Sequence, residues 1–339
     1  FEVPKVQMTP KRGRLQREIA SWGFNIVRVD ELCHNKPLLH VAKSILTIRG
    51  LDAIVDMDKF ARFVNKVERG YCGGSKKTKN PYHNNLHACE VLQAMHIFIS
   101  KGELEKLLSP EEKLGALCAA LLHDYKHPGL TAGYIEAVQH QIYKEHGSME
   151  HYHVHEAFNL LEGDSSKYMF VDKDKWQRIK PIIQDLILAT EFKGNKKFAI
   201  DFQTRLDKGF VLGHNNKLLA LKLCLKCADL CHACRHTSSH VYWSKHVYQE
   251  LFAVGDLMED NGLPVPSILK RTTNIGALQQ GFLMSTRKIF NCITTLFPDT
   301  AFILDHLQAN EDSWKSSIKP FMPKLRRGVS IDSIIPKTM

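Results

Sequence analysis

The sequence has no apolar run long enough to cross a membrane. Its longest apolar stretches, such as LGALCAALL at 114–122, fall far short of the ~20 residues that a spanning helix needs. The N-terminal segment FEVPKVQMTPKRGRLQR is basic but has no apolar core, which excludes a secretory signal peptide there. We therefore expect no membrane insertion by this chain and a cytoplasmic location.

Neither a β-sheet pattern nor a concentrated basic face is present. Val, Ile and Thr do not cluster between turn signals, and strand-like alternation is scarce. The net charge is +10, but the Lys and Arg residues are scattered, with small clusters at 76–79 and 193–197. Because no helix carries the basic face of a groove-binding protein, we expect no nucleic-acid partner. The positive charge instead predicts a solvated surface that attracts small anions.

The nine cysteines, four of them in LKLCLKCADLCHACRH at 221–236, first suggest a metal–thiolate site. On a helix that rises ~1.5 Å per residue, the first and last of these four would lie roughly 15 Å apart. Thiolates on one zinc ion lie within roughly 4 Å of each other. We therefore predict a buried stripe of free thiols in a reducing compartment, with Asp229 pointing away from it. The stripe consists of Cys224, Cys227, Cys231 and Cys234.

Apolar residues recur with the 3.6-residue period of α-helices along most of the chain. We predict one compact, all-α, multi-helix domain over residues 21–325, preceded by a basic segment at 1–20 that is the remnant of a linker and followed by a tail at 326–339. Because the chain begins with Phe1, we expect it to be part of a longer protein. The predicted helices are 38–48, 52–69, 86–100, 111–125, 149–162, 174–191, 198–209, 215–231, 241–254, 274–295 and 298–309.

The chemistry-bearing residues are histidines and aspartates in three separate segments. His83 and His87 lie in NPYHNNLHACEVLQ, and the pair His123–Asp124 ends an apolar helix in LLHDYKHPG. A carboxylate beside a histidine at the end of a buried helix is costly unless a partner, such as a metal ion, compensates its charge. For any one histidine a helix-capping role remains the simpler interpretation, but the joint pattern with Asp229 favours a metal site.

Two imidazoles and two carboxylates suit zinc, and a shared carboxylate can hold a harder second ion such as Mg²⁺ or Mn²⁺. Two such metals can bind a bridging hydroxide and the free oxygens of a phosphodiester. A histidine close to the metals, such as His83, could then protonate the leaving alkoxide. The sequence therefore predicts a two-metal site where several helices meet.

These segments resemble class I cyclic-nucleotide phosphodiesterases. The motifs YHNNLHACEVLQ, LLHDYKHPG, SMEHYHVHEAF, LILAT, LKCADL and LQQGF occur in the order found in that family, from about residue 35 to 316. The resemblance implies hydrolysis of 3′,5′-cyclic nucleotides to 5′-monophosphates, which ends cyclic-nucleotide signalling. It also implies zinc at a tight site and magnesium or manganese at a second one. The implied zinc ligands are His87, His123, Asp124 and Asp229.

The resemblance also assigns roles around the metals and in a substrate pocket. Asp124 bridges the two metals, His83 is the general acid, and Glu150 orients His83. His127, Glu150 and Thr190 match positions that hold waters on the second metal. By periodicity alone, Phe282 would be a core residue, and only one of Gln279 and Gln280 can face a pocket. The implied substrate-binding residues are Tyr82, His232, Val247, Leu251, Gln279 and Phe282.

Five positions depart from the family pattern. Lys126 stands where a second aspartate is usual, and we expect it to point outward, because a buried lysine without a partner is costly. His232 replaces an asparagine that is frequent in enzymes that favour cAMP. From this exchange we expect cAMP to be accepted, and cGMP remains open. The other departures are Ala132, Tyr152 and Glu191.

Two other functions fit parts of the pattern. The same metal site could act on another phosphoester, such as a nucleoside triphosphate, but such a substrate would favour more Lys and Arg around the site. A helical scaffold with structural metals is the third hypothesis, although His83 would then have no purpose, since a structural zinc site is closed by four ligands. The sequence allows a homodimer without showing one.

Overall fold

Helices form nearly all the regular structure in the computed structural model, which describes residues 10–71, 80–163 and 173–316. Within these residues there are sixteen α-helices and no β-strand element. None of the described helices is both long enough and apolar enough to pass through a membrane. The helices are α1 (Pro10–Ala20), α2 (Ile26–Leu32), α3 (Pro37–Ile48), α4 (Met57–Gly70), α5 (Asn85–Phe98), α6 (Leu104–Leu107), α7 (Pro110–Leu122), α8 (Ala132–Ala137), α9 (Gln141–His146), α10 (Met149–Glu162), α11 (Lys173–Leu188), α12 (Asn195–Asp207), α13 (Lys217–Asp229), α14 (Thr237–Asp260), α15 (Ile275–Leu296) and α16 (Phe302–Ser316).

The predicted all-α fold is confirmed, and each helix predicted from periodicity is present. The sequence pattern missed α2, α6, α8 and α9, which have four to seven residues, too few to show a helical repeat over two turns. It also missed α1, in the segment 1–20 for which we expected a linker. Leu15 and Ile19 of α1 are buried in the core. The tail at 326–339 lies outside the described residues.

Capping residues decide where the central helices begin. Asn84 accepts hydrogen bonds from the backbone N–H groups of Leu86 and His87, so α5 starts at Asn85. His83 therefore precedes the helix, and His87 lies in its first turn. The helix α7 begins with a capping box, in which the side chains of Ser109 and Glu112 each accept a hydrogen bond from the other's backbone N–H.

The centre of the fold is built from helices that are buried on all sides. Every residue of α5 is buried, and so is every residue of α7 from Leu114 to Leu122. The helix α5 packs against α3, α7 and α13, and α7 packs against α11. A helix that is surrounded by protein can expose polar groups only near its ends. The ends of α5, α7 and α13 are where the predicted metal ligands lie.

The cysteine stripe is buried and has no metal-binding arrangement. Cys224, Cys227, Cys231 and Cys234 are all buried free thiols, as are the other four described cysteines. The helix α13 ends at Asp229, two residues earlier than predicted, and a 3₁₀ turn follows over Cys231–Cys234. The predicted stripe of free thiols in the core is therefore confirmed, although only its first half lies on an α-helix.

A buried ion pair connects the N-terminal segment to this 3₁₀ turn. Arg235 is 1% exposed, and its Nε lies 3.5 Å from Glu90 Oε1. Its other nitrogens donate to the carbonyl oxygen of Trp22 and to Gln93 Oε1, both at 2.6 Å. The guanidinium also lies 4.1 Å from the centre of the Trp22 ring. Arg235 thus holds Trp22, α5 and the turn after Asp229 together.

Removing this arginine should destabilise the fold strongly. Because the Trp22 carbonyl and Gln93 Oε1 would lose their buried donor and the guanidinium would leave a cavity, we expect Arg235→Ala to lower the free energy of unfolding by about 3–5 kcal/mol. Chemical denaturation followed by circular dichroism measures this. The matched control is Arg178→Ala, since the Arg178 side chain is 63% exposed and lies 3.8 Å from Glu111; a change within about 0.5 kcal/mol is expected there. Equal effects of the two substitutions would contradict the structural role of Arg235.

Candidate metal centre

Four side chains from three helix ends meet in one cluster. His87 comes from the first turn of α5, His123 and Asp124 follow the last residue of α7, and Asp229 ends α13. One ligand atom of each residue lies within 4.8 Å of the ligand atoms of all the others. His87 Nε2 is 3.1 Å from Asp229 Oδ1 and 3.3 Å from His123 Nε2. These are the residues that the sequence predicted as zinc ligands.

Hydrogen bonds behind the cluster orient its members. The Nδ1 of His123 lies 3.0 Å from the carbonyl oxygen of Ala120 and donates to it, so Nε2, the atom that faces the cluster, is the position that takes either a proton or a metal ion. The backbone N–H of Asp124 donates to the hydroxyl of Tyr71 at 3.3 Å, and that hydroxyl donates to the carbonyl of Leu121. Hydrogen bonds to the Tyr71 hydroxyl and within the last turn of α7 therefore fix the end of this helix.

The electrostatics of the cluster fit a divalent cation. Burial by itself would raise the pKa of Asp124 and Asp229, but the facing histidines lower the pKa of both carboxyls, so both are ionised. Burial opposes a charge on His123, yet the two carboxylates raise its pKa well above the usual value. A proton on His123 thus balances part of the negative charge, and a metal ion at the same place would supply that positive charge instead. Two imidazole nitrogens and two carboxylate oxygens form a donor set that zinc accepts.

A second group of titratable residues lies beside the cluster, and it contains a residue that the sequence analysis missed. Glu250, on α14, contacts His83 Nδ1 through one carboxylate oxygen. Its other oxygen accepts the backbone N–H groups of Tyr82 and His83, each at 3.1 Å. We expected Glu150 to orient His83; the structure has Glu250 in that place. No sequence motif marks Glu250, which lies 167 residues from its partner.

Glu250 keeps His83 protonated. Burial favours the neutral imidazole, but the Glu250 carboxylate, with Asp124 and Asp229 further away, raises the pKa of His83 to about 9. The same pairing lowers the pKa of Glu250 to about 2, against the effect of burial. The Nε2 of His83 lies 4.0 Å from Asp124 Oδ2, so its proton faces the metal cluster. This arrangement supplies a positioned acid at neutral pH.

His127 and His153 complete the surroundings of Asp124. The ring of His127 stacks on His83 with centroids 3.8 Å apart, and its Nδ1 accepts the backbone N–H of Gly129 at 3.0 Å. His153 is buried, and its Nδ1 donates to the carbonyl oxygen of Tyr125 at 2.9 Å. Its Nε2 has no hydrogen-bond partner among the described residues and lies 3.7 Å from Asp124 Oδ1. Such an unpaired buried acceptor suits a water molecule held by a metal at Asp124.

Glu150 and Thr190 are less closely tied to the cluster. Glu150 is partly buried, and its charge acts on the buried Lys226, as do those of Asp229 and Glu191. The hydroxyl of Thr190 donates to the carbonyl oxygen of Ile187 at 2.8 Å. Among the described residues, no hydrogen bond or ion pair joins either residue to His83 or His127. Their expected role at metal-bound waters stays a prediction.

Lys126 points away from the cluster of His87, His123, Asp124 and Asp229, as we expected. Its amino group lies 2.5 Å from Glu156 Oε2, and its side chain is 46% exposed. The backbone of Lys126 has a positive φ of 60°, which turns the chain between Asp124 and His127. The cation at this position is therefore paired at the surface.

Ring contacts connect three of the predicted substrate residues, Tyr82, His232 and Phe282, to His87 of the cluster. Tyr82 packs on His87 with ring centroids 4.6 Å apart, and His232 lies parallel to Phe282 at 5.2 Å and an angle of 8°. Gln279 is 2% exposed, whereas its neighbour Gln280 is only partly buried, so Gln279 is the inward member of the pair. The predicted apolar wall, Val247 and Leu251, is partly buried against the core.

Comparisons with known proteins agree with this geometry. The family described as 3′5′-cyclic nucleotide phosphodiesterase matches residues 82–307, well over half of the chain. The chain belongs to this family. It carries a phosphodiesterase catalytic domain, and the buried His/Asp cluster is a candidate metal site of the kind typical of such a domain.

Individual relatives are distant in sequence. The chain is 27% identical over 328 residues to a Drosophila melanogaster 3′,5′-cyclic-AMP phosphodiesterase, isoform F, covering 92% of the chain and 49% of that protein. It is 27% identical over 274 residues to a Bos taurus dual specificity calcium/calmodulin-dependent 3′,5′-cyclic nucleotide phosphodiesterase 1B, covering 79% of the chain and 50% of that protein. The chain thus spans about half the length of these curated relatives.

The crystal structure of the phosphodiesterase domain of Salpingoeca rosetta rhodopsin phosphodiesterase has the same fold. It superimposes with a TM-score of 0.79 at 23% sequence identity, covering 91% of this chain and 94% of that one. At this identity the likeness concerns the fold, and the phosphodiesterase family assignment rests on the sequence match.

Loss of Asp229 should remove the metal from this phosphodiesterase domain. We expect Asp229→Ala to abolish zinc binding and to lower the thermal midpoint, because a metal ion held by this cluster would connect the ends of α5, α7 and α13 and would stabilise only the folded state. Zinc content measured by plasma mass spectrometry and thermal unfolding with and without chelator test this. Cys227→Ser is the matched control on the same helix and should retain its zinc. Full zinc content in Asp229→Ala would show that Asp229 is not a ligand.

Proposed function

We propose that this domain hydrolyses 3′,5′-cyclic nucleotides, cAMP among them, to 5′-monophosphates. The observation that carries the proposal is the position of His83, which Glu250 keeps protonated and whose Nε2 lies 4.0 Å from Asp124 in the metal cluster. A structural metal site would not need a protonated histidine next to its ligands. The family match and the curated relatives support the same reaction class.

We assign the tight metal to His87, His123, Asp124 and Asp229, and we expect zinc there, with magnesium or manganese beside Asp124. Metals at this place would neutralise the phosphate and provide an activated water as the nucleophile. Residues around Asp124 would hold water molecules bound to a metal at the second site. Among them, the unpaired Nε2 of His153 is positioned to accept a hydrogen bond, and His127 carries its remaining N–H on Nε2, since its Nδ1 accepts from Gly129.

We propose that His83 protonates the oxygen atom that leaves the phosphate. Cleavage of the cyclic phosphodiester leaves negative charge on the O3′ of the ribose. The Nε2–H of His83 faces the cluster and donates its proton to that oxygen, while Glu250 stabilises the imidazolium through Nδ1 until transfer. The backbone N–H groups of Tyr82 and His83 keep the Glu250 carboxylate in place.

The base is proposed to bind between Phe282 and the partly buried Val247 and Leu251. Gln279 and His232 then face the edge of the base, and Tyr82 closes the pocket toward His87. Ring contacts from His87 through Tyr82 and His232 to Phe282 support a base site next to the His/Asp cluster. The cyclic nucleotide is the partner that the family implies.

The first test is metal-dependent hydrolysis with and without the acid. Purified domain should hydrolyse cAMP in the presence of Mg²⁺ and lose activity after chelation. His83→Ala should retain zinc but lose roughly 100-fold or more in kcat, because protonation of the leaving oxygen contributes about 10²–10⁴-fold. Chromatographic product analysis and zinc content measure the two effects. Normal turnover in His83→Ala would exclude His83 as the acid, and zinc-loaded protein that hydrolyses a nucleoside triphosphate instead would favour the other phosphoester class.

The pH profile tests the pairing of His83 with Glu250. A group with a raised pKa stays protonated below that value, so activity should fall as the pH rises through about 9. In Glu250→Gln the stabilising carboxylate is lost, and we expect the alkaline limb of kcat/KM to move to lower pH by roughly one unit or more. The control is Glu162→Gln, which removes an exposed carboxylate paired with Lys180. An unchanged limb in Glu250→Gln would contradict the proposed role.

A further inference from the structure

A buried lysine lies close to the His/Asp cluster without being part of it. Lys226 is on α13, one helical turn before Asp229, and only 4% of its surface is exposed. Its amino group donates to the Asn195 side chain at 2.6 Å and to the carbonyl oxygen of Glu191 at 3.3 Å. The same group lies 5.4 Å from the centre of the Phe198 ring. Lys226 therefore connects α13 to the segment between α11 and α12.

The segment that Lys226 holds contains two residues that the sequence analysis singled out. Residues 189–195, which we call the α11–α12 connection, run from the end of α11 to the first residue of α12. They include Thr190, for which we predict a role at metal-bound water, and Glu191, one of the five departures from the family pattern. The two hydrogen bonds from Lys226 tie this connection to the helix that ends in Asp229.

Burying this lysine has a cost that the surrounding charges reduce. Burial lowers the pKa of Lys226, whereas the carboxylates of Asp229, Glu191 and Glu150 act to raise it. Both direct acceptors are neutral oxygen atoms, so hydrogen bonds hold the amino group in place while carboxylates further away balance its charge. Lys226 thus lies where α10, the α11–α12 connection and the end of α13 come together.

We propose that Lys226 is a positioning residue for the second metal, because it holds the α11–α12 connection, and Thr190 within it, beside the cluster. The proposal rests on the proposed function and deepens it. Partners behind metal-bound groups typically contribute roughly 10- to 100-fold to metal affinity. Without Lys226, the connection would lose its buried anchor, and the second metal would bind more weakly. The zinc ligands would keep their places, since they come from α5, α7 and the end of α13.

The sign of the effect separates positioning from electrostatics. A lysine cation near the cluster repels a divalent metal, so the loss of its charge alone would strengthen metal binding. The loss of its hydrogen bonds to the connection would weaken metal binding instead. Asn195 allows this second effect to be measured alone, because its truncation breaks the 2.6 Å hydrogen bond and leaves the charge of Lys226 in place.

Binding of Mn²⁺ to the zinc-loaded domain tests the proposal without reference to hydrolysis. Electron paramagnetic resonance of the free Mn²⁺ gives the dissociation constant of the second site. We expect Lys226→Met to weaken Mn²⁺ binding by roughly tenfold and Asn195→Ala by roughly threefold or more, with zinc content unchanged in both. The matched control is Lys222→Met, one turn earlier on α13, where the amino group lies 3.7 Å from Asp185. Its Mn²⁺ affinity should equal that of the wild type.

Steady-state kinetics provide a second measurement. In Lys226→Met the Mg²⁺ concentration for half-maximal activity should rise by roughly tenfold, and saturating Mg²⁺ should restore most of the wild-type kcat. A purely structural role of Lys226 would lower the thermal midpoint and leave the Mg²⁺ dependence as it is. If Lys226→Met does not fold, Asn195→Ala replaces it in both measurements, since Asn195 is only partly buried.

The outcomes distinguish this proposal from the proposed function. Tighter Mn²⁺ binding in Lys226→Met with no change in Asn195→Ala would overturn the positioning role, because Lys226 would then act through its charge alone. Loss of zinc in Lys226→Met would overturn it too, since the first site would depend on the lysine. A wild type that binds zinc and Mn²⁺ but hydrolyses no cyclic nucleotide would overturn the proposed function, and the binding data would still decide the role of Lys226. A zinc-loaded wild type without a second metal site would overturn the positioning role whatever its activity.

Discussion

The structure depends on one constraint, the cost of burying two carboxylates and two imidazoles at the centre of an all-helical domain. Asp124 and Asp229 stay ionised because His87 and His123 lie within hydrogen-bonding distance and because the ends of three helices bring these groups together. Separating any one helix from the others would leave a buried charge without a partner. The His/Asp cluster therefore stabilises the fold as well as forming the candidate site. Its positive charge compensates the two carboxylates, and its four residues join the ends of α5, α7 and α13.

The position of these groups follows from the way the central helices are buried. All residues of α5 are buried, so a site open to a ligand can form only at an end of this helix. Asn84 caps the N-terminal end, which leaves His83 before the helix and places His87 in its first turn. The two histidines can then take different roles. One reaches into the metal cluster, and the other turns toward Glu250 on α14.

Sequence patterns predicted the features that depend on residues close together in the chain, such as helices and their buried faces. They missed the contacts between residues that are far apart in the chain. Helical periodicity found the long helices and the burial of Cys224 and Cys227, because both depend on residues three or four positions apart. The cluster residues His87, His123, Asp124 and Asp229 were found because each lies in a short characteristic motif. Glu250 lies in no such motif, and His153, although it lies in SMEHYHVHEAF, was not assigned a role from the sequence. Each acquires its role only when tertiary packing brings it to His83 or to Asp124, across 167 residues in the first case.

The segment after Asp229 shows why the end of the chain matters to the site. Residues 230–236 directly follow the cluster residue Asp229 and include His232. Their only regular element before α14 is the short 3₁₀ turn over Cys231–Cys234. They are held by residues from both ends of the described chain. Trp22 donates to the carbonyl of Cys234, and Asn310 on α16 donates to the carbonyls of Ala233 and Arg235. Trp314, on the same helix, continues this support through His240 to the ring of His232. The short segment that directly follows Asp229 thus takes its shape from Trp22 and from α16, so a substitution on α16, far along the chain from the cluster, can still change the position of Asp229.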